Sequence, residues 1–322
     1  MAGQVRWVLS IDGGGIRGLI PATLLGHLER ITRRPISSLF DLIAGTSTGG
    51  ILALGLGLGV DPAKSRSDDF DGSAAALANL YRHRGREIFR RTAWWRLRSL
   101  GGFFEERYSA AGLEAVLEAV FGGSTLAELR CPVMVTSYDI QNRRTRFLKS
   151  YLGEHEQILC REAARATSAA PAYFEPKPLT LAGQASTLID GGIFMNSPVV
   201  SAYAEALKLF PDDEIHVLSL GTGVKRRPIA YRQARNWGAA GWVLPLLDCM
   251  FDGVDQAADH QMRLLLGNRY WRFQPDLGSA GEALDDCSET NLAALEQVAS
   301  QLTVDQEPAF TRLVSALQPM RG

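Results

Sequence analysis

The run from Leu42 to Val60, LIAGTSTGGILALGLGLGV, has no charged side chain in nineteen residues and holds six glycines. Nothing in it suits a water-facing surface, so whatever it folds into must be covered on all sides. Its length is that of a membrane-spanning helix. The GTSTGG turn near its start interrupts that reading, and the run is better read as a buried strand, a tight turn and a core helix. Such a unit needs apolar neighbours on both faces. A chain of 322 residues, 46% of them hydrophobic, can supply them and bury most of its surface without a disulfide staple.

The same strand-turn-helix pattern precedes it. VRWVLSI (Val5 to Ile11) is apolar at nearly every position, as expected of a strand covered on both faces. The glycine-rich Asp12 to Gly18 follows, and LIPATLLGHLERI then places Leu24, Leu25, Leu28 and Ile31 at helical spacing, with Pro21 tolerated in the first turn. Repetition of this unit predicts an α/β fold, a largely parallel sheet with helices on both faces. Asp61 to Ser73 reads as a polar loop; AALANLYRHRGREIF and GLEAVLEAVFG read as helices. CPVMVTSYDI and RRTRFLKSY form two strands that pair across Gln141 and Asn142. ILCREAARATSAAP is a helix stopped by Pro171, and STLIDGG and EIHVLSLGTG are short strands. Beyond Pro275 a linker-like stretch leads into two helices. The reading is one large α/β domain over 1–275 and a C-terminal helical extension, 276–322, packed on it.

A formal net charge of -1 argues against a general nucleic-acid binder. Cys131, Cys160, Cys249 and Cys287 have no C-x-x-C spacing and read as buried thiols rather than a disulfide frame or zinc site. The opening MAGQVRWVLSID lacks the apolar stretch of a signal peptide, so the expectation is a soluble, cytoplasmic protein.

Three glycine-rich segments at strand ends carry the chemistry. Gly45-Thr46-Ser47-Thr48-Gly49 lies between the strand DLIA and the helix GILALGL, the setting of a nucleophile elbow. Small neighbours allow the sharp turn, and the helix N-terminus favours negative charge developing at the serine. The plain alternative is a glycine-rich turn with an idle serine. Asp12-Gly13-Gly14-Gly15-Ile16-Arg17-Gly18 satisfies G-x-G-x-x-G through Gly13, Gly15 and Gly18, so a dinucleotide site must be considered. That site wants an acidic residue ending the next strand, whereas the next strand begins at Asp41 and ends in the serine turn. Backbone amides of successive glycines can instead converge as an oxyanion hole, which explains both loops together. Arg17 either adds positive charge there or pairs with a structural carboxylate. Asp190-Gly191-Gly192 ends the third such strand, at the sheet edge where ligands bind. Beside a serine elbow, Asp190 is the candidate base.

A triad would need a histidine. His216 completes the chain order Ser47, Asp190, His216, but it sits within the strand run Ile215 to Leu218, where packing is the commoner role. His260 and His27 fall on helices, and His83 and His155 in polar surroundings. A serine-aspartate dyad, with Asp190 taking the serine proton directly, fits better.

DGGGIRG, GTSTGG and DGG, in that order and at strand ends, resemble the patatin-like phospholipases. The resemblance runs from about Val5 to about Pro275 and extends to ATSAAPAYFEP (Ala166 to Pro176), DGGIFMNSP (Asp190 to Pro198) and LSLGTG (Leu218 to Gly223). It implies a three-layer α/β/α patatin-like fold with a mostly parallel central sheet. It implies Ser47 as nucleophile, Asp190 as dyad partner and Gly13, Gly14 and Gly15 as the oxyanion loop. Arg17, Gly18, Gly45, Gly49, Gly191 and Gly192 complete the motifs. The activity it implies is hydrolysis of fatty-acyl esters of phospholipids, lysophospholipids or neutral lipids, with no calcium or other cofactor. The implied partners are a lipid substrate and a transient membrane-surface contact, with no nucleic-acid polymer. Some bacterial patatin-like proteins are switched on by a cyclic nucleotide to damage membranes in anti-phage defence, so a regulated effector is the rival reading, with Arg226, Arg227, Arg232 and Arg235 as candidate phosphate contacts.

Tyr81 to Tyr108 concentrates Arg82, Arg84, Arg86, Arg90, Arg91, Arg96, Arg98 and Arg107 among Phe89, Trp94, Trp95, Phe103 and Phe104. The mixture suits a lipid interface, a protein interface, or a cap packed over the core with a solvated basic rim.

Overall fold

The computed structural model describes residues 3–59, 71–90, 107–225 and 228–318. Its strands are β1 (Val5–Ile11), β2 (Leu42–Gly45), β3 (Val133–Asp139), β4 (Arg144–Lys149), β5 (Lys177–Leu181), β6 (Gln184–Asp190), β7 (Glu214–Leu220) and β8 (Tyr270–Phe273). The longer helices are α1 (Leu19–Thr32), α2 (Thr48–Leu58), α3 (Ala74–Ile88), α4 (Ala110–Phe121), α5 (Cys160–Thr167), α6 (Val199–Leu209), α7 (Gly238–Leu266), α8 (Glu289–Asp305) and α9 (Glu307–Leu317).

All eight strands form one sheet, in the order β5-β6-β3-β2-β1-β7-β8, with β4 also paired to β3. The four pairings among β3, β2, β1, β7 and β8 are parallel; β4, β5 and β6 join antiparallel. Alternation of side chains along each central strand divides the core. Leu9, Ile11, Ile43, Val133, Val135, Leu218 and Leu220 face one layer, built from α1 to α5 with α8 and α9. Val8, Leu42, Ala44, Met134, Ile215 and Val217 face the other, covered by α6 and the C-terminal part of α7. The three-layer α/β/α arrangement with a mostly parallel sheet is therefore the one expected.

The uncharged run is buried in the part described apart from Ser47 and Leu58, which are half-buried. Every residue of β2 is buried, and α2 buries all of its residues except Leu58. Val60 lies outside the described residues. Among the described residues no helix is long and apolar enough to cross a membrane.

The pairing of β3 brings two distant strand ends together. β4 lines one edge of β3 along residues 134–139. The opposite edge is shared: Gly45 at the end of β2 pairs with Val135, and Asp190 at the end of β6 pairs with Ser137. Because β6 runs antiparallel, the C-terminal ends of β2 and β6 meet head to head along that edge.

Several details differ from expectation. The helix expected to stop at Pro171 ends at Thr167, and its last turn is bound by Ser168 rather than broken by proline. Cys131, Cys160 and Cys287 are buried, but Cys249 is exposed because it lies on the outer half of α7. From Cys249 to Ala257 every residue of that helix is exposed except Asp255. His155 is buried, its ring nitrogen accepting from the Lys149 amide at 3.2 Å, instead of occupying a polar setting. The edge strands β5 and β8 carried no signal strong enough to be anticipated.

Candidate active site

The serine turn is strained. Ser47 has φ 54° and ψ -123°, a backbone region a residue with a Cβ seldom occupies, and it caps the N-terminus of α2. Three contacts hold it there. The Ser47 amide donates to Thr167 Oγ1 at 3.0 Å. Thr46 Oγ1 donates to the Met195 carbonyl at 2.9 Å and hydrogen-bonds Thr136 Oγ1 at 2.8 Å, fastening the turn to the segment after Asp190. Gly49 passes so close to β1 that a Cβ there would stand 2.2 Å from the Ile11 carbonyl. Strain of this kind persists where the surroundings over-determine it, and it concentrates at functional sites.

Asp190 faces the serine. Its carboxylate is buried, interacts with the Ser47 side chain and accepts the Gly192 amide at 2.7 Å. Burial pushes the carboxyl up from 3.8 to about 6, opposed by the bonds from Ser47 and Gly192. The group is thus ionised at neutral pH yet basic enough to accept a proton.

The glycine loop closes the third side. A Cβ on Gly13 would lie 3.4 Å from Ser47 Cβ, an ordinary contact, but 2.6 Å from Asn196 Oδ1, and one on Gly14 would lie 2.2 Å from Thr222 Oγ1, so Asn196 and Thr222 leave room only for glycine beside the serine. The loop's amides divide. Gly13 donates to the Asn196 carbonyl at 3.0 Å and Ile16 to the Leu284 carbonyl at 2.9 Å. Among the described residues the amides of Gly14 and Gly15 have no acceptor. Arg17 donates to the carbonyls of Gly14 at 3.4 Å and Gly223 at 3.3 Å and makes no ion pair among the described residues. Burial lowers its pKa, against the pull of Glu282. Gly18, Gly45 and Gly191 are close-packed, against Thr48, Gly49 and Thr136 in turn.

Among the described residues no histidine hydrogen-bonds Ser47 or Asp190. His216 pairs in register with Trp7 and lies four residues before the end of β7, roughly 13 Å along the strand from its C-terminal end. Its Nε2 meets Glu214 Oε1 at 2.5 Å, and its ring stacks on Trp271. Asp41, the residue weighed for a dinucleotide ribose, instead accepts from the Trp7 amide and the Arg6 guanidinium.

Two charged residues without a sequence signal support the site from beneath. Arg272, on β8, pairs with the buried Asp12 at 2.6 Å and donates to Ser219 Oγ. Asp255, on α7, accepts from Asn196 Nδ2 at 2.8 Å and from the Ser197 amide at 3.1 Å. Burial pushes its carboxyl up to about 6, and neighbouring Asp12 adds to the rise. Their only local traces were a lone arginine in YWRF and one of four aspartates in a long helix.

The basic segment is partly visible. Arg82, Arg84, Arg86 and Arg107 pair with Glu296, Glu87, Glu289 and Asp285, and Phe89 packs against Tyr108 and Phe174. Arg91, Trp94, Trp95, Arg96, Arg98, Phe103 and Phe104 lie outside the described residues, as do Arg226 and Arg227. Arg232 and Arg235 are exposed.

A family model described as patatin-like phospholipase matches residues 9–203. A cGAMP-activated phospholipase of Pseudomonas aeruginosa is 33% identical over 294 residues, covering 87% of this chain and 83% of its own. Patatin-like protein 2 of Oryza sativa is 28% identical over 344 residues, covering 92% and 83%. Patatin of Solanum tuberosum is 28% identical over 337 residues, covering 93% and 84%.

Proposed function

The chain belongs to the patatin-like phospholipase family, and from that premise we propose that it is a lipid acyl hydrolase, cleaving fatty-acyl esters of phospholipids or lysophospholipids through a Ser47–Asp190 dyad. The observation that carries the reading is the juxtaposition of a strained, helix-capping serine with a buried carboxylate poised near pH 6. Asp190 accepts the Ser47 proton as Oγ attacks the ester carbonyl. The carbonyl π electrons move to oxygen, and the oxyanion is received by the amides of Gly14 and Gly15, a role supported by their having no acceptor among the described residues. Collapse of the tetrahedral intermediate breaks the C–O bond, and Asp190 returns its proton to the departing lysolipid or alcohol. Water then attacks the acyl-serine with Asp190 again as base, releasing the fatty acid and restoring Ser47.

The test is fluorophosphonate labelling of the wild type beside Ser47→Ala and His216→Ala, with fatty-acid release from a mixed lipid panel. Labelling and release lost in Ser47→Ala alone support the dyad. Loss in His216→Ala with an intact fold would replace it by a triad.

A second reading, a cyclic-nucleotide-activated effector of anti-phage defence, is favoured by the 33% identity to the cGAMP-activated phospholipase. Release of fatty acid that rises at least tenfold on adding cGAMP supports it; a rate unmoved by cGAMP removes it.

A further inference from the structure

We propose that Asp255 is a positioning residue for the reaction: by fixing Asn196 and Ser197 it sets the place of the glycine loop against Ser47. The proposal rests on the dyad reading above. Both carboxylate oxygens of Asp255 are committed, Oδ2 to Asn196 Nδ2 at 2.8 Å and Oδ1 to the Ser197 amide at 3.1 Å. Asn196 in turn gives its backbone carbonyl to the Gly13 amide at 3.0 Å, and its side-chain oxygen rests against the Gly13 backbone. Gly13 borders Ser47 and leads into the two amides with no acceptor among the described residues. A chain of direct contacts therefore runs from Asp255 through Asn196 to Gly13 and the serine.

The segment that Asp255 holds is also the one that follows the dyad aspartate. Residues 191–197 leave β6 at Asp190 and return over the serine turn, where Met195 accepts from Thr46. Without Asp255 the polar groups of Asn196 and Ser197 would have no partner on that side. The charges facing Asp255 are Asp12, which disfavours its ionised form, and Arg272, which favours it. Asp255 is moreover the one inward-facing residue of the exposed stretch Cys249–Ala257, so it is where the outer part of α7 meets the site.

The full chain is compared as wild type, Asp255→Asn, Asn196→Ala and the double variant. In Asp255→Asn one of two N–H donors meets an amide NH2 in place of an acceptor; Asn196→Ala removes the donor and leaves the carboxylate on Ser197. Hydrogen exchange of the segments 12–18 and 190–198 is expected to quicken in each variant while α8 and α9 keep wild-type protection. The kcat is expected to fall about 10- to 100-fold with KM changed less than about threefold, since a displacement near 1 Å suffices for such a loss. The double variant is expected to be no worse than the poorer single, as befits two members of one contact chain. Unchanged exchange in the two segments overturns the proposal, as does quickened exchange with wild-type kcat, or losses that multiply in the double variant. Should Asp255→Asn not fold, Asn196→Ala alone gives the exchange and kcat readouts. Hydrolysis surviving in Ser47→Ala would remove the dyad reading instead, an outcome separate from all of these.

Discussion

Replacing Asp190 by Asn should make the protein more stable at neutral pH while removing its activity. The carboxyl is buried and its pKa is raised from 3.8 to about 6 in the folded state. Between those values the native state holds a proton that the unfolded chain has lost, so stability falls as pH rises through this window. Below about pH 4 both states carry neutral Asp190 and no penalty applies; above about pH 6 the whole penalty is present. With about 1.4 kcal/mol for each pH unit separating the two values, the burial of the charge costs about 3 kcal/mol at pH 7. Asparagine mimics the neutral acid, keeps an oxygen for the Gly192 amide and cannot ionise. Urea unfolding of both proteins from pH 4 to pH 7.5 should therefore show the stability of Asp190→Asn, relative to wild type, growing by about 3 kcal/mol across the range. Asp255, also raised, is present in both proteins and cancels from the difference. Fatty-acid release should fall by about 10²- to 10⁴-fold, the usual worth of a positioned base. A stability difference that stays flat with pH, or an Asp190→Asn enzyme with near-normal turnover, would refute the reasoning.

Three further outcomes follow from the same geometry. The pH profile of kcat/KM should lose activity below about pH 6 as Asp190 takes up its proton, and His216→Ala should leave that limb in place. Thr167→Val keeps the shape of a buried side chain but leaves the Ser47 amide without its acceptor; denaturant unfolding should show a loss of about 1–3 kcal/mol, with a lower kcat as the turn relaxes. Arg272→Met strands the buried carboxylate of Asp12 and should cost about 3–5 kcal/mol by the same assay, much of it regained when Asp12→Asn is added.

What could be read from the sequence was whatever is encoded within a few residues. β1 and β2 are apolar at nearly every position because helices cover both faces of the sheet, and that composition marks them without reference to any partner. The Gly45–Gly49 turn is legible because the chain must pass within van der Waals distance of β1, which only glycine allows. Asp190 is legible as a carboxylate at a strand end with glycines behind it. The antiparallel entry of β6 is not, since one edge of β3 takes β2 parallel and β6 antiparallel, and nothing within the residues of β6 says which direction it will take.

Arg272 and Asp255 mark the limit of such reading, and for one reason. Each stands among residues that announce nothing: the four-residue strand YWRF and a helix whose neighbouring positions face solvent. Arg272 acquires its role from Asp12, 260 positions away, and Asp255 acquires its role from Asn196, 59 positions away. A buried charge is tolerated only when a partner meets it, so the need for Arg272 was implicit in Asp12, an aspartate just past the end of a strand whose last residues are all buried. The sequence posed that question at residue 12 and left the answer to the fold. The same logic explains why the proposed dyad and glycine loop were legible in the sequence and their supports were not. Ser47, Asp190 and the glycine loop sit in turns whose backbone shape their own small neighbours set, and backbone shape is written locally. The residues that hold them need only arrive, and arrival is a property of the sheet order.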